Sequence, residues 1–105
     1  MQRLNGERYS LSMPVYVFYI RVTDKGKASM VEVRGKMDEI ATFIRTNGGQ
    51  LKLSLATFGE VDYMKVVDLP SDELAMKFSM LGSSNGLLSI ETVKAFVEDE
   101  MGSFI

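Results

Sequence analysis

From Val15 to Val22 the chain reads Val-Tyr-Val-Phe-Tyr-Ile-Arg-Val, almost without a polar interruption. The run is rich in β-branched and aromatic residues and too short for a buried helix, so it is a strand. Strand side chains alternate between faces. Val15, Val17 and Tyr19 therefore point one way, and Tyr16, Phe18 and Ile20 the other. Both sets are apolar, which makes this strand central and covered on both sides.

Thr23-Asp24-Lys25-Gly26 follows as a polar turn suited to helix entry. Between Ala28 and Thr46, apolar residues fall at Met30, Val33, Met37, Ile40, Ala41 and Ile44. Steps of three and four draw one stripe along a helix. Gly35 is its weak point, since glycine costs about 1 kcal/mol against alanine there. A kink, or a short helix followed by a longer one, is expected. Asn47-Gly48-Gly49 ends the helix, because Asn and Gly accept the left-handed conformation of a C-cap.

Leu51, Leu53 and Leu55 alternate with Lys52, Ser54 and Ala56, the pattern of a half-covered strand. Phe58-Gly59-Glu60 is a turn, with Gly59 placed for a positive φ. Val61 to Leu69 forms the next strand, with Val61, Tyr63 and Val67 on one face and Met64 and Val66 on the other. So short a connection implies an antiparallel hairpin. Ser71 can cap a second helix whose first turn carries Asp72 and Glu73, suited to the positive end of the dipole. Leu74, Ala75, Phe78 and Leu81 form its stripe, Gly82 stops it, and Asn85-Gly86 turns the chain. Leu88 to Val97 is the last strand, followed by an acidic tail from Glu98 to Phe104-Ile105.

The order β-α-β-β-α-β predicts an α+β domain of the ferredoxin-like, split-βαβ type. It has a four-stranded antiparallel sheet with two helices on one face. The first and third strands are apolar on both faces, yet helices cover one. A lone copy would expose a large apolar patch, so a homodimer packed sheet against sheet is expected.

Composition narrows the chemistry. The net charge is −2, with the 12 Lys and Arg residues scattered, so nucleic-acid binding is not expected. The chain has no cysteine and no histidine. Catalytic triads, ordinary zinc sites and thiolate chemistry cannot be built from it, and no metal or cofactor is expected. No apolar stretch is long enough to span a membrane. Residues 1–12 are polar and read as a disordered leader rather than a signal peptide, with residues 13–105 forming one domain. A cytoplasmic location is expected.

From Pro14 to about Met101 the chain resembles the GYD domain family, small bacterial and archaeal proteins with the dimeric α/β-barrel form of this fold. Met13-Pro14-Val15-Tyr16-Val17 is similar to the family's opening strand, and Gly48-Gly49 to its helix-ending glycine pair. Phe58-Gly59-Glu60-Val61-Asp62 occupies the place of the Gly-x-Tyr-Asp motif. Asp68-Leu69-Pro70-Ser71-Asp72-Glu73 is similar to the acidic helix entry, and Ser89 to Phe96 to a Thr-Glu-Thr-Leu-Arg-Ala-Phe strand. Val61 stands where the family's tyrosine belongs, with Tyr63 two positions on, so no role of that tyrosine is carried over. The resemblance implies a fold and a dimer, and no particular activity.

The candidate ligand-binding residues are Tyr16, Tyr19, Asp62, Tyr63 and Glu91; no catalytic residue is assigned. The tyrosines could line a cavity and offer hydroxyls, or sit buried with backbone partners. Asp62 could anchor a ligand, or bond backbone amides beside the Gly59 turn. Glu91 shares a face with Val93, while Thr92 shares one with Lys94. Glu91 could be a base, but suits a solvated or intersubunit position better. The 8 methionines, Met76 and Met80 among them, fit core filling better than copper binding. Lys25-Gly26-Lys27 lacks the spacing of a phosphate loop. Three functions stand: a dimeric small-molecule-binding or regulatory module, a cofactor-free enzyme resembling the monooxygenases and isomerases of dimeric α/β barrels, and a structural or interaction protein.

Overall fold

A computed structural model describes residues 13–97 of the chain. The expected leader at 1–12 and the acidic tail from Glu98 lie outside the described residues.

Strand β1 spans Val15–Val22, with Tyr16, Phe18, Ile20 and Val22 buried and the residues between them half-buried. The expected turn after it is a four-residue helix, α1, Asp24–Lys27. Thr23 caps it by accepting from the Gly26 amide. Helix α2, Met30–Thr46, follows with Val33, Ile40 and Ile44 buried. The helical segment is thus split, but before Met30 and not at Gly35, through which α2 runs unbroken. Gly35 is exposed, so it costs only propensity, while the buried stripe holds the helix to the sheet. Gly48 has φ 80°, the left-handed conformation expected after the helix. Gly49 serves close approach instead: a Cβ there would lie 2.6 Å from the Asp68 carbonyl oxygen.

Strands β2, Gln50–Ala56, and β3, Tyr63–Asp68, form the hairpin. Between them Gly59 has φ 149°. β3 starts at Tyr63 rather than Val61, because residues 57–62 close a loop in which the Thr57 amide donates to the Asp62 carbonyl at 2.9 Å. Helix α3, Asp72–Ser83, is capped by Ser71, whose hydroxyl accepts from the Leu74 amide at 3.2 Å. Gly82 does not stop it. It lies inside the helix, and a Cβ there would meet Ile90 Cδ1 at 2.3 Å, so glycine lets α3 sit close on strand β4, Leu88–Ala95.

The sheet order is β2-β3-β1-β4, antiparallel throughout. Every buried strand residue of the hydrophobic core belongs to one face, the inner one. There Tyr16, Phe18, Ile20, Val22, Val67 and Leu88 meet Val33, Ile40 and Ile44 of α2 and Ala75 and Phe78 of α3. Phe18 stacks on Phe78 with ring centres 3.9 Å apart, and Phe43 meets Phe78 edge-on. The result is an α+β fold, a four-stranded antiparallel sheet with helices.

One expectation about β2 is overturned. Leu51 pairs with Val67, but Leu53 pairs with Val66 and Leu55 with Met64. The register shift between Leu51 and Leu53 is a bulge, and one extra residue turns every later side chain to the other face. Leu51 therefore shares the inner face, and Leu53 and Leu55 the outer. β2 is exposed along its whole length rather than half-covered, because it is the sheet edge farthest from α3.

The outer face carries Val15, Val17, Tyr19, Met64 and Val66 half-buried, with Leu53, Leu55 and Val93 at 46%, 40% and 39% exposure. Among the described residues no helix is long and apolar enough to cross a membrane.

Candidate functional site

Strand register sends the five candidate residues to four places. Tyr16 and Tyr63 lie on the inner face at opposite ends of β1, since Tyr16 pairs with Val67 and Tyr63 with Ile20. Tyr19 and Glu91 are cross-strand neighbours on the outer face. Asp62 lies in the loop before β3.

Tyr16 is buried, and its hydroxyl donates to Asp72 Oδ1 at the start of α3. Lys94, its neighbour on β4, brings Nζ to 3.1 Å from the same oxygen. Burial first, and then the Asp72 carboxylate, push the Tyr16 phenol well above its usual range. The Tyr16 hydroxyl first, and then Lys94, hold the Asp72 carboxyl below the usual carboxylate value. Tyr16 is thus a fixed proton donor, and the three side chains tie β1, β4 and α3 together. Thr92 Oγ1, on the same face beside Phe18, is buried without a hydrogen bond.

Asp62 serves the backbone. Its Oδ2 accepts from the Val22 amide at 2.7 Å, and its own amide donates to the Ile20 carbonyl at 2.9 Å. Those bonds fasten the loop to the end of β1, which is the turn chemistry an aspartate near Gly59 suggests.

Two clefts take up Tyr19 and Tyr63, while Glu91 lines neither. One, of about 250 Å³, opens on the outer face and is lined by Tyr19, Met64 and residues 57–61. Phe58, at the loop tip, is fully exposed, and so is much of Glu91. The other, of about 280 Å³, lies between α2 and the start of β3, lined by Met30, Val33, Arg34, Met37, Asp38 and Tyr63. Among the described residues no three acidic side chains gather to hold a metal ion.

Several polar groups carry structural roles that local sequence does not mark. Lys36 is buried on the inner stripe of α2, where its spacing from Val33 and Ile40 already placed it. Its Nζ donates to the Leu81 carbonyl at 3.2 Å and Ser84 Oγ at 3.3 Å, and pairs with Glu39 at 3.0 Å. A cation thus closes the negative end of α3. Asp68 is buried on the outer face with Lys52 Nζ 3.7 Å away and no hydrogen bond to either oxygen. Arg34 and Asp38 had no local signal, since both read as solvated helix positions.

No curated protein matches the chain. The model of the GYD domain family, in contrast, matches residues 16–105, taking in both clefts, the Tyr16–Asp72–Lys94 group and the Gly59–Asp62 loop. The chain belongs to the GYD domain family.

Proposed function

We propose that the protein works as a homodimer, in the dimeric α/β-barrel form of the ferredoxin-like fold, and binds a small molecule at the seam between copies. The observation that carries this is the outer sheet face. Val15, Val17, Tyr19, Leu53, Leu55, Met64, Val66 and Val93 form a continuous apolar surface in strand register. Soluble monomers rarely leave such a surface to water, and a second copy is the commonest cover. The cleft beside Tyr19 and Met64 opens on that face, so packing would roof it. Enclosed there, Tyr19, Thr57 and Glu60 of the lining would be the polar side chains available to orient a ligand, with Glu91 beside Tyr19 at the seam.

Native mass spectrometry of the purified protein, under gentle and then denaturing conditions, tests both parts. A dimer carrying a reproducible adduct is expected, and Val17→Lys, at the centre of the face, should give a folded monomer. A folded wild-type monomer at micromolar concentration would overturn the dimer. A dimer free of adduct would shift the protein toward an interaction role.

A further inference from the structure

The cleft between α2 and β3 pairs an apolar floor with charges that have nothing to do within the fold. Met30, Val33 and Met37 form the floor, and Arg34, Asp38 and Tyr63 bring polar groups to its walls. Elsewhere on these helices opposite charges one turn apart do meet: Lys36 and Glu39 at 3.0 Å, Glu73 and Lys77 at 3.9 Å. Arg34 and Asp38 stand four apart, but with the base nearer the N-terminus, which is the weaker order. No ion pair or side-chain hydrogen bond engages either of them, or the Tyr63 hydroxyl, among the described residues.

We propose that this cleft binds a small zwitterion, an α-amino acid with an apolar side chain. A guanidinium offers a carboxylate two parallel hydrogen bonds, so Arg34 takes the carboxylate. Asp38, one turn along, takes the ammonium, and Tyr63 adds a hydroxyl donor or acceptor. The side chain lies over Met30 and Met37, whose flexible thioethers adapt to its shape. A cavity of about 280 Å³ suits a ligand of this size and not a nucleotide or cofactor. Anion-only and cation-only ligands would each leave one wall charge facing them unpaired or opposed. The site is built within one chain and does not depend on the dimer.

The test is a titration of protein carrying ¹³C-methyl methionine. L-leucine is compared with leucinamide, which lacks the carboxylate, and 4-methylpentanoate, which lacks the ammonium. Met30 and Met37 should shift saturably with L-leucine, while Met76 and Met80, exposed on α3, stay fixed. Each analogue should bind about tenfold more weakly or worse, the scale of one lost charge-assisted hydrogen bond. Arg34→Met should erase the preference for leucine over leucinamide, and Asp38→Asn the preference over 4-methylpentanoate. Absence of a saturable shift at Met30 and Met37, equal binding of all three compounds, or an unchanged response in Arg34→Met would overturn the proposal. A monomer in native mass spectrometry with this titration intact would remove the seam site and leave this one standing.

Discussion

Two glycines that look alike in the sequence should respond in opposite directions to alanine. Gly35 lies inside α2, is exposed, and has nothing within 4 Å of where a Cβ would stand. Replacing it removes only the entropy penalty of glycine in a helix, so stability should rise by about 0.5–1 kcal/mol. For a domain of this size that corresponds to a rise in Tm of about 2–8 °C. At Gly26 a Cβ would stand 2.3 Å from the Leu87 carbonyl oxygen and 2.7 Å from Val22 Cγ1. The valine could turn aside, but the carbonyl is backbone. It is held by the Thr23 amide at 3.0 Å and the Thr23 hydroxyl at 3.1 Å. Making room separates α1 from the start of β4, an overpacking cost of about 1–3 kcal/mol, with those bonds at risk as well. Helix α1 has four residues, so little propensity gain offsets it. Thermal and urea unfolding followed by circular dichroism, at one fixed protein concentration, measures both variants. A loss of stability in Gly35→Ala would refute the picture of an open α2 surface. A neutral Gly26→Ala would refute the close contact between α1 and Leu87.

Three further outcomes follow from single side chains. Asp72 has its folded pKa held down, so it adds stability above its unfolded value of about 4 that is lost as pH falls through the folded pKa. Tyr16→Phe removes the largest cause of that depression, and urea midpoints should then fall less steeply below about pH 4 than in the wild type; an unchanged acid limb would show that Lys94 holds Asp72 by itself. Lys36→Met removes the ammonium's bonds to the Leu81 carbonyl and Ser84 Oγ, leaving the Ser84 amide and hydroxyl on that carbonyl, and should cost about 1–2 kcal/mol in urea unfolding; a more stable variant would mean that dehydration of the ammonium outweighs its bonds. Gly49→Ala should destabilise by about 1–3 kcal/mol, since the Asp68 carbonyl and Leu69 Cδ2 both lie within 2.7 Å of the new Cβ; a neutral result in the same assay would refute the close approach of Gly49 to the end of β3.

Local chemistry was legible in the sequence wherever it depended on neighbours along the chain. The alternation of Val15–Val22, the Ser71 cap and the positive φ at Gly48 and Gly59 all follow from a few adjacent residues. What depended on distant partners was hidden. Nothing in Leu51-Lys52-Leu53 marks a bulge, because the bulge exists only against Val66 and Val67 of β3. Gly82 resembles a helix stop by composition, but its cause is Ile90 on another strand. Residue type alone puts the candidate tyrosines together, and register separates them. Tyr16 and Tyr63 share a face, yet they stand at the two ends of β1.

That separation also says where unspent chemistry remains. The strongest polar group on the inner face, Tyr16 with Asp72 and Lys94, is occupied in holding α3 to the sheet, and a phenol pushed above its usual range cannot act as a base. The Asp62 carboxylate is occupied by the Val22 amide at the end of β1. Lys36 is occupied at the C-terminus of α3. The two proposed sites therefore draw on groups with no such duty, in two sets on opposite sides of the sheet. Tyr19 and Glu91 face the outer side, and the proposed second copy would enclose them. Arg34, Asp38 and Tyr63 converge within one chain. Val17→Lys should disable the first set by leaving it open to water, while leucine still shifts Met30 and Met37 through the second.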